Sequence, residues 1–267
     1  MHDDAGAPSG HHHGPPGWSR GSDVDLIGWL DCGAGASGDM FLGALVDVGV
    51  PLGHLQEVLD ALGVEPIALR AERASRHAIS ATKVSVETAD GPAHRHWREI
   101  RQILGAADIS DAVRDRALDA FGRLARAEGR VHGIDPEEVH FHEVGALDAI
   151  ADIVGACAGL QWLRDHRRLR ALSVSEVALG SGRARGAHGG IPIPGPAVVQ
   201  IVAEAQIPVS SGGLSHEACT PTGAALIAAN ADSYGGLPSM RVVATGVGAG
   251  GRDPDEAPNV LRLILGQ

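Results

Sequence analysis

Short apolar runs alternate along the chain with longer stretches of helical period. Residues 25–30, D-L-I-G-W-L, read as a strand. A glycine-rich loop then leads into F-L-G-A-L-V-D-V-G, which predicts a helix over residues 41–49, with Ser37 or Asp39 as its cap and Gly49-Val50-Pro51 as its stop. A second helix is expected over 52–62, closed by Gly63. Residues 67–73 and 81–87 read as strands, the latter through the alternation K-V-S-V-E. Ala112, Val113, Leu118, Phe121 and Leu124 recur at helical spacing and predict a helix over about 110–128.

From Val139 a short strand enters a helix that is expected to run to Leu163, followed by a basic turn over 164–170 and a strand over 171–179. Pro196 sits near the first turn of a helix over 197–205, where proline is tolerated. The last helix is expected over 224–231, and strands over 241–245 and 260–265 flank the loop G-V-G-A-G-G-R-D. This succession predicts an α/β or α+β fold, a mixed sheet with flanking helices. No internal repeat is found.

Residues 1–23 are rich in Gly, Pro and His and read as a disordered arm, leaving 24–267 as one large folded unit or two smaller ones. Aromatics supply only 3% of the chain, so the core has to be built from Ala, Val, Leu and Ile. A net charge of -11 argues against a nucleic-acid partner, but not against one nucleotide held by backbone amides. There is no run of about 18 apolar residues and no signal-like start, so no membrane role and a cytoplasmic location are expected. Cys32, Cys157 and Cys219 lie far apart, which indicates neither a disulfide framework nor a cysteine-only metal site.

Chemistry concentrates in V-H-F-H-E-V-G-A-L-D-A-I-A-D. On an extended strand His140 and His142 share a side, roughly 7 Å apart, with Glu143 opposite. Asp148 and Asp152 then share a helix face. The bland alternative is satisfied histidines followed by a solvated acidic face. Four other segments are equipped: the loop containing Gly35, Ser37, Gly38 and Asp39, whose amides suit a phosphate; His94 and His96; His188 in G-A-H-G-G; and Thr220, Thr222 and Gly223 at a helix start. Imidazole with carboxylate suits nickel, zinc, iron or manganese alike. No nucleophile elbow and no early G-x-G-x-x-G occurs. A cysteine nucleophile at Cys32 or Cys219 stays open.

In order and spacing, D-C-G-A-G-A-S-G-D-M-F-L-G-A-L-V-D-V-G, A-H-R-H-W-R-E-I, V-H-F-H-E-V-G-A-L-D-A-I-A-D-I-V-G, G-S-G-R-A-R-G-A-H-G-G-I-P-I-P-G-P-A and C-T-P-T-G-A-A-L resemble the LarC family of nickel-insertion proteins. The resemblance runs from about Asp25 to the last residue. It implies CTP-dependent insertion of Ni2+ into pyridinium-3,5-bisthiocarboxylic acid mononucleotide, a nicotinate-derived substrate, to give the nickel-pincer cofactor of lactate racemase. On that basis His94, His96, His140, His142 and His188 are the candidate metal residues, and Glu143 is the candidate base for the ring proton. Gly35, Ser37, Gly38, Asp39, Thr220, Thr222 and Gly223 are the candidate substrate-binding residues.

Two departures bear on this. The family's CTP-associated C-terminal domain lies beyond the resemblance, so CTP use implies a separate C-terminal partner. Gly33 and Ala34 also replace an aromatic and a hydroxyl of the usual D-C-F-S-G-I-S-G-D. Homo-oligomerisation is left open. The competing readings are a nickel or zinc metallochaperone and, behind it, a metal-dependent hydrolase.

Overall fold

The alternation of strand and helix signals yields a mixed seven-stranded sheet with helices, in a computed structural model that describes residues 24–88, 95–141, 146–186 and 189–267. The side chains of 184–186 and 189 are outside that description. The first elements are β1 (Leu26–Asp31), α1 (Gly38–Asp47), α2 (Leu52–Asp60), β2 (Ile67–Arg76), β3 (Ile79–Thr88), β4 (Arg95–His96) and α3 (Trp97–Ala106). Next come α4 (Asp111–His132), a 3-10 turn (Pro136–Glu138), β5 (His140–Phe141), α5 (Leu147–Arg167), β6 (Leu169–Val174), β7 (Val177–Ala178), β8 (Gly182–Gly186) and β9 (Gly189–Ile193). The chain continues through α6 (Pro196–Glu204), β10 (Val209–Ser210), α7 (Pro221–Asn230), β11 (Ser233–Tyr234), β12 (Val242–Ala249) and β13 (Val260–Gly266).

The large sheet has the order β11-β6-β1-β13-β12-β3-β2. Strands β11, β6 and β1 are parallel, β13 is antiparallel to both of its neighbours, and β2 and β3 form an antiparallel hairpin. Parallel neighbours need crossover connections, which the helices between β1, β6 and β11 provide. All three phenylalanines, Phe41, Phe121 and Phe141, are buried, and apart from these, Trp97, Met40 and the three cysteines the main core is aliphatic.

With few rings to fill space, backbones approach closely. A Cβ on Gly43 of α1 would lie 2.3 Å from Thr82 O and 2.8 Å from Gly248 Cα. A Cβ on Gly248 would lie 1.9 Å from Met40 O, and one on Gly246 would lie 2.1 Å from Ala44 O. Helix α1 therefore rests on the backbones of β3 and β12. On its other side Gly155 and Gly159 of α5 accept Leu42 and Leu45, each 2.9 Å from where a Cβ would stand.

The α/β expectation holds, with five local corrections. The expected basic turn over 164–170 is the last turn of α5, where Arg164, His166 and Arg167 complement the helix dipole before Arg168 ends it at φ 55°. The expected strand over 171–179 begins at Leu169 and breaks at Ser175, whose Oγ accepts from Cys32 N at 2.9 Å and donates to Glu176 O at 2.7 Å. Gly246 to Ala249, expected in a loop, belong to β12, because the glycines there admit α1 rather than make a turn. The β8–β9 hairpin had no alternating apolar pattern to announce it. Helix α4 starts as expected, with Ser110 Oγ accepting from Val113 N, but extends to His132 before Gly133 stops it at φ 69°. The expected disordered arm, 1–23, lies outside the described residues.

Candidate functional site

The loop between β1 and α1 is held from several sides. Gly35, at φ 97°, lies so close to Ala218 that a Cβ would be 1.9 Å from its carbonyl oxygen. Ala36 N donates to Ala218 O and Thr220 N donates to Ala36 O, each at 3.0 Å, and Ala36 and Cys219 form a parallel bridge. Thr220 Oγ1 caps α7 by accepting from Gly223 N at 3.1 Å. Thr222 is buried. Gly223 lies against the loop, where a Cβ would meet Ala36 O at 2.2 Å and Ser37 N at 3.0 Å. The two segments singled out for a phosphate therefore adjoin, although the amides of Thr220 and Gly223 already serve internal bonds.

Ser37 is the N-cap residue of α1, and Asp39 Oδ1 accepts from Ser37 Oγ and, at 2.9 Å, from Met40 N. Gly38 leaves room for another carboxyl: a Cβ there would be 2.3 Å from Asp152 Oδ2 and 2.5 Å from Asp152 Cγ. Asp152 thus brings the helix of the histidine motif to the start of α1. Its Oδ1 is sealed from solvent and has no hydrogen-bond partner among the described residues. Burial, then the charges of Asp39 and Asp148, push its pKa well above the carboxylate range, so the group favours its neutral form. The single lysine of the sequence, Lys83, also faces this end of α1. A Cβ on Gly251 would be 3.8 Å from Lys83 Nζ and 3.7 Å from Asp39 Oδ2.

His96 and His140 come together as a directly opposed pair between β4 and β5, with ring centroids 4.5 Å apart and planes inclined by 17°. His96 is also the N-cap residue of α3, where its backbone N donates to Glu99 Oε2 at 2.7 Å. Beneath the pair, Trp97, Phe121 and Phe141 form a ring cluster. For the stacked rings to share one ion, their nitrogens would have to converge at about 2.0–2.1 Å from it. No group of three His, Cys, Asp or Glu side chains among the described residues is placed to hold a metal. His94, His142, Glu143 and His188 lie outside the described residues.

All three cysteines are buried. Burial, reinforced by Cys219 and Asp31, raises the Cys32 pKa strongly, and burial pushes Cys219 up to about 12 and Cys157 to about 11. Burial that holds them as thiols argues against the cysteine nucleophile left open by the sequence.

A family model described as nickel insertion protein matches residues 28–267. The chain belongs to this nickel insertion family. A relative from Nocardioides sp., named as a pyridinium-3,5-bisthiocarboxylic acid mononucleotide nickel insertion protein, is 52% identical over 238 residues, covering 89% of this chain and 59% of the relative. Chains from Geotalea uraniireducens and Synechococcus elongatus are 43% and 45% identical, each over 90% of this chain and over 61% and 59% of their own lengths. The chain therefore spans about three fifths of the length of these relatives. No solved structure matches. Among the described residues, no helix is long and apolar enough to cross a membrane.

Sequence reasoning placed Asp152 on the right helix face but gave it no role. It passed over Lys83, for which being the only lysine was the available signal. It also passed over His216 and Glu256, which are separated by 40 residues and share no spacing rule.

Proposed function

We propose that the protein is a nickel chelatase of the lyase class, acting in the cytoplasm. It inserts Ni2+ into pyridinium-3,5-bisthiocarboxylic acid mononucleotide and so forms the nickel-pincer cofactor. CTP binding, which the resemblance to the LarC family implies, is assigned to a separate C-terminal partner. The observation that best supports this reading is the junction of the 33–39 loop with the start of α7, against which Asp152 of the motif helix is buried. A mononucleotide phosphate would lie at Gly35, Ser37, Gly38 and Asp39 beside Thr220, Thr222 and Gly223.

Nickel, as cargo, needs ligands that hold it and then release it. His140 and His96, with His94, His142 and His188, offer imidazoles, which suit that task better than thiolates. The protonated cysteines would leave the ion to them. Replacing the ring C–H by C–Ni releases one proton, and Glu143 is the assigned acceptor. Asp152, neutral in the unliganded site, would limit repulsion of the substrate's phosphate and thiocarboxylates.

The test is spectrophotometric. The protein, with and without the C-terminal chain and CTP, is mixed with Ni2+ and the mononucleotide while the thiocarboxylate absorbance is followed. A nickel-dependent change that slows at least tenfold in Glu143→Gln is expected. Tight nickel binding with no absorbance change under any of these conditions would leave a metallochaperone instead.

A further inference from the structure

His216 was not singled out by spacing, yet a carboxylate lies beside its ring. It lies in a segment bridged to Gly180 through Glu217 and to Ala36 through Cys219. Ser181 Oγ donates to Leu214 O at 2.7 Å, fastening the same segment to the base of the β8–β9 hairpin. His216 therefore stands between the glycine loop and that hairpin.

Its orientation comes from Glu256. Glu256 Oε2 is 3.3 Å from His216 Nδ1 and accepts from Ser215 N at 2.8 Å, while Oε1 accepts from Ser215 Oγ. These bonds, chiefly the Ser215 hydroxyl, hold the Glu256 pKa below the usual glutamate value and keep the group anionic. Because two Ser215 bonds already fasten Glu256, loop anchoring alone does not call for an imidazole. With Nδ1 turned toward the carboxylate at 3.3 Å, Nε2 lies on the far side of the ring, and no hydrogen bond to it is found among the described residues. The side chain is 21% exposed, so part of the ring meets solvent while the loop is folded.

A carboxylate on one ring nitrogen is the usual support of a metal-bound histidine. It fixes the tautomer, fixes the ring plane and raises the basicity of the other nitrogen. We propose that His216 is a nickel ligand at the substrate loops, its Nε2 presented by Glu256. As one partly exposed imidazole it holds the ion weakly, which suits handing cargo to a substrate with two sulfur donors. The assignment rests on the nickel reading above and extends it to a residue outside the two H-x-H motifs.

The test uses the full chain with His2, His11, His12 and His13 replaced by Ala, so that the arm does not contribute metal sites. Ni2+ binding is measured by calorimetry in this parent, in His216→Gln and in Glu256→Gln. Glutamine at 216 can still donate to Glu256 and so preserves the clamp. The expected result is a dissociation constant raised about tenfold or more in His216→Gln and by a smaller factor in Glu256→Gln. X-ray absorption should count one imidazole fewer on nickel in His216→Gln.

An affinity within twofold of the parent overturns the assignment. If His216→Gln fails to fold, diethylpyrocarbonate modification of the parent decides: protection of His216 by Ni2+ supports the ligand, and an unchanged rate overturns it. Because metal binding is read directly, weaker binding in the variant would stand even if no chain converted the mononucleotide. Conversely, normal insertion with unchanged affinity would remove His216 and leave the proposed function intact.

Discussion

Replacing Asp152 by asparagine should make the protein more stable and should make that gain depend on pH. The side chain keeps its volume in the space left by Gly38 but can no longer ionise. In the parent, Oδ1 is sealed and unpartnered, an arrangement that costs about 1–3 kcal/mol for a polar atom and more for a charged one. Because the folded-state pKa lies above the ordinary value of 3.8, the native state binds more protons than the unfolded chain between those two values. Parent stability therefore falls as pH rises through that window and levels off above the folded pKa. The variant lacks this term.

Urea denaturation at pH 5 and pH 8 measures it. Asparagine keeps a sealed polar side chain, so only the ionisation cost is removed: each pH unit of that window is worth about 1.4 kcal/mol, and the variant should be the more stable at pH 8, with roughly 2–4 °C in Tm per kcal/mol for a chain of this size. The gap should narrow at pH 5. A variant less stable than the parent at pH 8, or a gap that does not change with pH, would refute the reasoning. A stabilising variant would also show that the carboxyl is kept at a cost to folding, as is common where chemistry requires it.

Gly38→Ala should destabilise by about 1–3 kcal/mol through overlap with Asp152, whose Cβ would itself be 2.4 Å away, so Asp152→Gly rather than Asp152→Ala in the same chain should show the coupling in a double-mutant cycle. Cys32, Cys157 and Cys219 should resist iodoacetamide at pH 8 in the native protein and react only after unfolding; rapid labelling of any of them would contradict their raised pKa values. Thr220→Ala should cost about 1 kcal/mol in thermal unfolding by removing the cap of α7, whereas Thr220→Ser should cost little. As pH falls through the lowered pKa of Glu256, its bonds to Ser215 and His216 should be lost, and amide exchange over 250–258 should quicken there and not at neutral pH.

The sequence was legible where local chemistry and global role agreed. Helix α4 starts after Ser110 and the period of Val113, Phe121 and Leu124 faces the core as expected, although the helix runs past 128 to His132. Reading failed where a residue served a distant partner. Gly246 and Gly248 look like a turn but exist for α1, and Arg164 and Arg167 look like a loop but end a helix. In the site, H-x-H spacing identified His96 and His140, but their stacking across β4 and β5 depends on a pairing between segments 44 residues apart. The meeting of Gly38 with Asp152 and the clamp of Glu256 on His216 arise from tertiary packing, which no local motif encodes.

The seat of α1 has one more consequence. Its distance from the sheet is set by backbone atoms at Gly43, Gly246 and Gly248, not by the volume of interposed side chains. Substitutions elsewhere in the core can loosen or tighten the interior, but they have no lever with which to lift this helix. The position of Ser37, Gly38 and Asp39 is thereby insulated from drift in the surrounding sequence. A family can exchange much of its aliphatic interior and still deliver the same three residues to the same place. The same spacing makes those glycines intolerant of even one methyl group, because the smallest side chain would push α1 off β3 and β12 and against α5, where its start meets Asp152.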